Sequence, residues 1–209
     1  MIVLGFDPGT ASTGWGVIEQ DGNRLRSLGH GCIVTSAKDP THVRLRQIHD
    51  QARGLITRFK PDIVVLEELF VNVNVKTALA VGQAKGVLIL AACDLEEAPR
   101  EYSPLQIKLA VTGYGRASKV QVQEMTKVIL GLARIPQPDH AADALAVAIT
   151  HTHHNGDALA TAIGKAGGRR NTGAVKLPPG AEPVPAAVLR KAGGSRQTRD
   201  PGAPGGSGA

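Results

Sequence analysis

Cysteine is almost missing from this chain: Cys32 and Cys93 are the only two in 209 residues, far apart and in apolar surroundings. That excludes a disulfide framework and reads as two small buried hydrophobes in a reducing compartment. Long hydrophobic runs are missing too. The longest, Val87 to Cys93, is far too short to cross a bilayer. The opening Met1-Ile2-Val3-Leu4 lacks the charged flank and cleavage site of a secretory signal and reads directly as a strand. A soluble, cytoplasmic protein with no membrane association is expected. Apolar residues make up 42% of the chain, enough for one ordinary core.

Charge is unevenly spread. Residues 156–209 hold eight Lys/Arg against three acids, +5 of the total +6, and residues 1–155 hold sixteen against fifteen, or +1. The same C-terminal stretch is rich in proline and glycine and ends Asp200-Pro201-Gly202-Ala203-Pro204-Gly205-Gly206. Such a composition cannot bury enough apolar surface to offset chain entropy. The expected organisation is a folded domain over 1–155 and a disordered basic tail over 156–209. A flexible basic tail can attract nucleic acid without specificity, and it can equally be a solubilising extension.

Within residues 1–155 the pattern alternates between strands and helices. Ile2–Asp7, roughly Gly14–Glu19 and roughly Leu25–Val34 read as strands, the last two joined by the hairpin signal Asp21-Gly22-Asn23. Pro40-Thr41 opens a helix with a single apolar stripe of Leu45, Ile48, Ala52, Leu55, Ile56 and Phe59, stopped by Pro61-Asp62. The run Ile63-Val64-Val65-Leu66 is a fourth strand ending at Glu67. A helix over Val75 to about Leu95 is apolar nearly all round. It carries Gly82 and Gly86, which would let another backbone approach, in the core or at a subunit interface. A short strand near Pro99–Tyr102 follows. Then come two capping boxes, Ser103-Pro104-Leu105-Gln106 and Ser118-Lys119-Val120-Gln121, each opening a helix. The last helix starts at Asp139 or His140 and ends near Asn155-Gly156. The order β-β-β-α-β-α-β-α-α-α defines an α/β fold with a mixed five-stranded sheet, antiparallel at one edge, and helices on its faces.

Acidic residues stand where that architecture exposes strand ends. Asp7 closes the first strand, Glu67 closes the fourth, and Asp143 lies in the last helix, three residues after His140 and on its face. Asp139, four before Asp143, shares that face and is also a natural N-cap. Carboxylates at the mouths of buried strands need partners. Three from distant parts of the chain point to a divalent-metal site. Oxygen ligands suit Mg²⁺ or Mn²⁺, and an imidazole tilts the choice towards Mn²⁺. Two ions about 4 Å apart would clamp a scissile phosphate.

Gly5-Phe6-Asp7-Pro8-Gly9-Thr10, with Gly14-Trp15-Gly16 after it, resembles the opening of RuvC-type Holliday-junction resolvases. Leu66-Glu67-Glu68-Leu69-Phe70, Gly82-Gln83-Ala84-Lys85-Gly86 and Ala141-Ala142-Asp143-Ala144-Leu145-Ala146 are similar to further segments of that family. They fall in order over roughly residues 1–154. The resemblance implies a ribonuclease-H-like fold and a homodimer. It also implies paired nicking of symmetric strands at four-way DNA junctions in recombination and repair, and a partnership with a branch-migration motor of the RuvA and RuvB type. It makes Asp7, Glu67 and Asp143 catalytic metal ligands. The fourth acid of many members falls at position 140, where this chain has His140, as some members do; Asp139, displaced by one, is the alternative.

By the same resemblance Phe70 is an aromatic wedge that stacks on bases at the crossover, a contact worth ~1–3 kcal/mol per base. A buried core phenylalanine is the competing reading. Lys108 and Lys119 match basic positions near the DNA backbone, and Lys76, Arg116, Lys85 and Lys127 are further candidates. Thr10, Ser12 and Thr13 between glycines also resemble the phosphate loop of the actin and sugar-kinase fold, a phosphotransferase reading that needs a second subdomain the tail cannot form. Other nucleases of the ribonuclease-H-like fold compete more closely, and a non-catalytic junction-binding protein is a third class. His151, His153 and His154 raise a second metal site, against the plainer reading that they favour the negative pole of a helix.

Overall fold

The computed structural model describes residues 1–69 and 75–162, with the backbone alone for 75–76 and 155–162. Its elements are β1 (Ile2–Asp7), β2 (Ser12–Asp21), β3 (Arg24–Val34), α1 (Thr41–Phe59), β4 (Ile63–Glu67), α2 (Val75–Ala92), β5 (Arg100–Tyr102), α3 (Pro104–Thr112), α4 (Lys119–Ile129) and α5 (Asp139–Ala162). That is the order the sequence pattern predicts. The strands form one sheet in the order β3-β2-β1-β4-β5. β1–β2 and β2–β3 pair antiparallel, while β1–β4 and β4–β5 pair parallel. The expected basic tail beyond residue 162 and the wedge candidate Phe70 lie outside the described residues.

Strand side chains alternate between two buried faces. In β1, Leu4 and Phe6 enter a core with α1 and α2, together with Val64 and Leu66 of β4. Val3 of β1 and Ile63 and Val65 of β4 enter the other core, against α3, α4 and α5. Continuing the alternation, Asp7 and Glu67 fall on the α5 side, at the C-terminal ends of neighbouring parallel strands. Phe6 is level with Leu66, one residue before each acid.

α5 lies against the sheet without intervening side chains. A Cβ on Gly5 would collide with the carbonyl oxygen of Ala144, and one on Gly14 with that of His140. Ala141, Ala144 and Ala148 are fully buried, so the helix presents small side chains where it crosses β1, while Leu145 packs over Gly16 of β2. Both predicted capping boxes form. Gln106 Oε1 accepts from the Ser103 amide at 2.8 Å, and Gln121 Oε1 accepts from that of Ser118 at 2.8 Å. Each serine hydroxyl in turn accepts from the glutamine backbone N–H.

Four expectations are corrected. α2 is buried on one side only: Ala84, Leu88, Ala91 and Ala92 are in the core, while Leu79, Ile89 and Leu90 are exposed. Gly82 touches only the Leu69 side chain, and nothing lies near a Cβ placed on Gly86, so among the described residues no backbone approaches either. The cysteines are not buried: Cys32 is half-buried and Cys93 exposed, because α2 ends at Ala92 and the turn after it faces solvent. α5 does not stop at Gly156 but runs to Ala162. The alanine-rich segment after Gly156 favours helix, and a single helical glycine costs only about 1 kcal/mol.

Gly5→Ala should destabilise the protein by about 2 kcal/mol, the range for an extra methyl forced into a close-packed contact. Urea or thermal denaturation reads this directly.

Candidate metal centre

The acids predicted from separate chain segments converge on the α5 side of the sheet. Ligand atoms of Asp7, His140 and Asp143 all lie within 4.8 Å of one another. His140 Nδ1 is 2.6 Å from Asp7 Oδ2, so its N–H donates to the carboxylate and leaves Nε2 free. His140, and not Asp139, meets Asp7. Asp139 is the first residue of α5 rather than the residue before it, and its carboxylate lies 3.6 Å from Lys119 Nζ. The choice follows from the helix: positions 140 and 143 share a face turned to β1, and the His140 carbonyl sits over Gly14.

Glu67 stands beside this trio rather than within it. It lines a cleft of about 210 Å³ with Asp143, Lys108, Lys119, Pro104, Ile107, Val122 and Ala146. Burial pushes its carboxyl up to about 7, reinforced by the charges of Asp7 and Asp143 and opposed by Lys119 and Lys108. Asp7 is raised as well: burial acts first, the His140 hydrogen bond pulls back, and Asp143 pushes up again. Carboxylates crowded until they resist ionisation form an environment that gains from a divalent cation. Two acids, an imidazole and an adjacent glutamate are a donor set that fits Mg²⁺ or Mn²⁺.

Lys119 is closer to the acids than its expected backbone role requires. Its Nζ is 3.0 Å from Asp143 Oδ2. Burial lowers the affinity of its ammonium for the proton, but the hydrogen bond to Asp143 and the charges of Asp143, Asp139 and Asp7 outweigh it, and the net shift is upward. A lysine at the first position of α4 opposes the helix dipole, so these acids are what hold it there. Lys108 reaches the same cleft from α3. Arg116 is exposed on the turn between α3 and α4 and does not line the cleft. Lys76 lies in the first turn of α2, where the backbone alone is described. Lys85 is no DNA candidate: it is buried and paired with Glu101 at 2.6 Å.

The remaining readings separate cleanly. Thr13 is fully buried and its hydroxyl donates inward to the Gly9 carbonyl at 2.6 Å, so it cannot meet a phosphate. The three histidines do not converge on a metal. His151 is buried against Tyr102, while His153 and His154 direct Nδ1 to the carbonyls of Ala110 and Thr150. The Tyr102–His151 pair went unread in the sequence, since nothing local links residues so far apart.

A mixed sheet with acids at the C-terminal ends of two adjacent parallel strands, completed by a helix crossing them, defines the ribonuclease-H-like class of metal-dependent nucleases. Within it, residues 3–151 match the sequence model of crossover junction endodeoxyribonuclease RuvC. The chain belongs to the RuvC family. It is 50% identical over 153 residues to the RuvC crossover junction endodeoxyribonuclease of Alkaliphilus oremlandii, covering 73% of this chain and 93% of that protein. To that of Rubrobacter xylanophilus it is 49% identical over 164 residues, covering 78% and 92%. The solved structure of Thermus thermophilus RuvC superposes with a TM-score of 0.70 at 37% identity, covering 76% of this chain and 97% of that one. The same protein in complex with a Holliday junction substrate also gives 0.70, covering 74% and 94%. Family membership carries dependence on a divalent metal. No helix among the described residues is long and apolar enough to cross a membrane.

Because Glu67 binds its proton more tightly when folded than at its ordinary value of 4.5, its contribution to stability is fully present below that value and is lost as pH rises through about 7. In a chelator, wild type should therefore lose stability relative to Glu67→Gln between about pH 4 and pH 8, by roughly 3 kcal/mol. Thermal denaturation across that range checks it.

Proposed function

We propose that this protein resolves four-way DNA junctions by paired, symmetric nicks, using Asp7, Glu67, His140 and Asp143 to hold two divalent cations. One observation carries the reading: donors from β1, β4 and α5 converge beside two lysines in a chain of the RuvC family. The cations, when bound, polarise the scissile phosphate and make water a better nucleophile at neutral pH. Asp7 lies at the centre, between Glu67 on the next strand and the His140–Asp143 pair on α5. A phosphate entering the cleft meets the ammonium groups of Lys108 and Lys119. Lys119 exchanges its Asp143 contact for phosphate oxygens as the site fills. Water attacks in line with the departing 3′ oxygen, and the bond from phosphorus to that oxygen breaks. The products are a 5′-phosphate and a 3′-hydroxyl that a ligase can seal.

Paired nicking needs two such sites. The exposed apolar residues Leu79, Ile89 and Leu90 on α2, with the open position at Gly86, support a homodimer built on that helix. Seven residues separate Glu67 from the start of α2, and Phe70, one of them, is the residue we assign to stacking on bases at the crossover. Lys76 and Arg116 would contact phosphates beyond the cleft. Phosphate contacts would set the orientation of the junction, while sequence preference would come from bases and from DNA deformability. Work alongside a RuvA and RuvB type branch-migration motor in the cytoplasm follows from the family alone.

On a synthetic mobile four-way junction, wild type should give symmetric nicks with Mg²⁺ or Mn²⁺. Asp7→Asn should retain junction binding but lose about 3 kcal/mol or more of charge stabilisation, roughly 100-fold or more in rate. Tight binding without cleavage by wild type in either metal would instead favour a binding module. Because His140 replaces a carboxylate, the ratio of Mn²⁺ to Mg²⁺ activity should exceed that of a His140→Asp variant; equal ratios in parallel metal titrations would count against a coordinating role for the imidazole.

A further inference from the structure

β1 sits between two neighbours, and α5 is pressed onto it through glycines, so Asp7, His140 and Asp143 are fixed to one another by close packing. Glu67 has no such support. The pairing of β4 with β1 ends at Phe6 and Leu66, one residue short of Glu67. On its other side Glu67 pairs with Tyr102, the last residue of the three-residue edge strand β5, and the Glu68 amide donates to the Tyr102 carbonyl at 2.8 Å. The position of Glu67 therefore depends on what holds β5.

Besides its ladder with β4 and the Tyr102 ring against His154, it has a side-chain bond on each face of the sheet. Glu101 points towards α2 and meets buried Lys85. Tyr102 points to the α5 side, as its register partner Glu67 does, and its hydroxyl lies 2.7 Å from Nδ1 of His151. Both residues are buried, with 6% and 1% of their surface exposed. His151 lies on α5 eight residues beyond Asp143, about 12 Å along the helix. The bond thus closes a circuit: Glu67 to Tyr102 across the strands, Tyr102 to His151, and His151 along a rigid helix to Asp143. No other buried imidazole lies within the described core, and none of the cleavage steps uses it.

We propose that Tyr102 and His151 are positioning residues that set the distance between Glu67 and the Asp7–His140–Asp143 trio, and so the affinity of the site for divalent cations. The proposal rests on Glu67 being a metal ligand. Removing a direct hydrogen-bond partner of a ligating side chain lowers affinity by about 10-fold or more, and a bond one step further out lowers it by less.

The test is Mn²⁺ binding to the full-length, DNA-free protein, followed by calorimetry or by the electron paramagnetic resonance of free Mn²⁺. Tyr102→Phe keeps the ring and removes one oxygen, so the test does not depend on His151→Ala folding. Tyr102→Phe should weaken Mn²⁺ by about 3-fold, less than the roughly 10-fold of a direct partner of a ligand, while junction binding in a chelator stays at the wild-type level. Where His151→Ala folds, the double variant should be no weaker than the weaker single one. A loss of melting temperature with unchanged Mn²⁺ affinity in Tyr102→Phe would make the pair merely structural and overturn the proposal. Glu67→Gln separates the two levels. If it weakens Mn²⁺ and Tyr102→Phe does not, only the positioning role falls; if it leaves the affinity untouched, the metal-site reading falls and the proposal with it.

Discussion

The site exists because one helix touches the sheet backbone. α5 crosses β1 and β2 where Gly5 and Gly14 leave no side chain, and its own contacts there are Ala144 and Ala148 over Gly5 and His140 over Gly14. Ordinary helix-on-sheet packing keeps a layer of side chains between the two backbones. Here that layer is absent, and side chains from helix and strand end can reach the same ion. The contact is apolar and short-range, so its strength lies in shape and dispersion. Everything charged about the centre is built on this uncharged seam.

On that seam the charges are arranged so that none is satisfied without help. Asp7 leans on the His140 N–H, Asp143 on Lys119, and Glu67 resists ionisation because burial and two neighbouring acids disfavour it. Lys119, held at a helix start that disfavours cations, belongs to this balance. Acids and lysines together make a place with charge for both a divalent cation and an anion, which either charge type alone would not be.

Much of this was legible in the residues. A strand reading Ile2-Val3-Leu4-Gly5-Phe6 is apolar on both faces, so an acid at its end had to be either paired or functional, and the same holds for Glu67. Three-residue spacing put His140 and Asp143 on one face. The capping boxes were local and formed as written. What was not legible depends on distant contacts. Lys85 and Lys119 look alike as exposed lysines in a sequence; one is buried on Glu101 and the other reaches Asp143, because of where α2 and α4 dock. The apolar content of α2 suggested burial all round, yet periodicity within it was too weak to show that Leu79 and Leu90 face outward. Tyr102 and His151 carried no local signal at all.

The carbonyl and Cβ of residue 140 are seated over Gly14, so that position is fixed by atoms that every residue but glycine shares. The chemistry of the side chain is thereby uncoupled from its place. An aspartate or a histidine can occupy position 140 without re-docking the helix, and the donor chemistry becomes exchangeable on an unchanging frame. Gly5 and Gly14 allow no comparable freedom, because a Cβ there would meet the helix backbone.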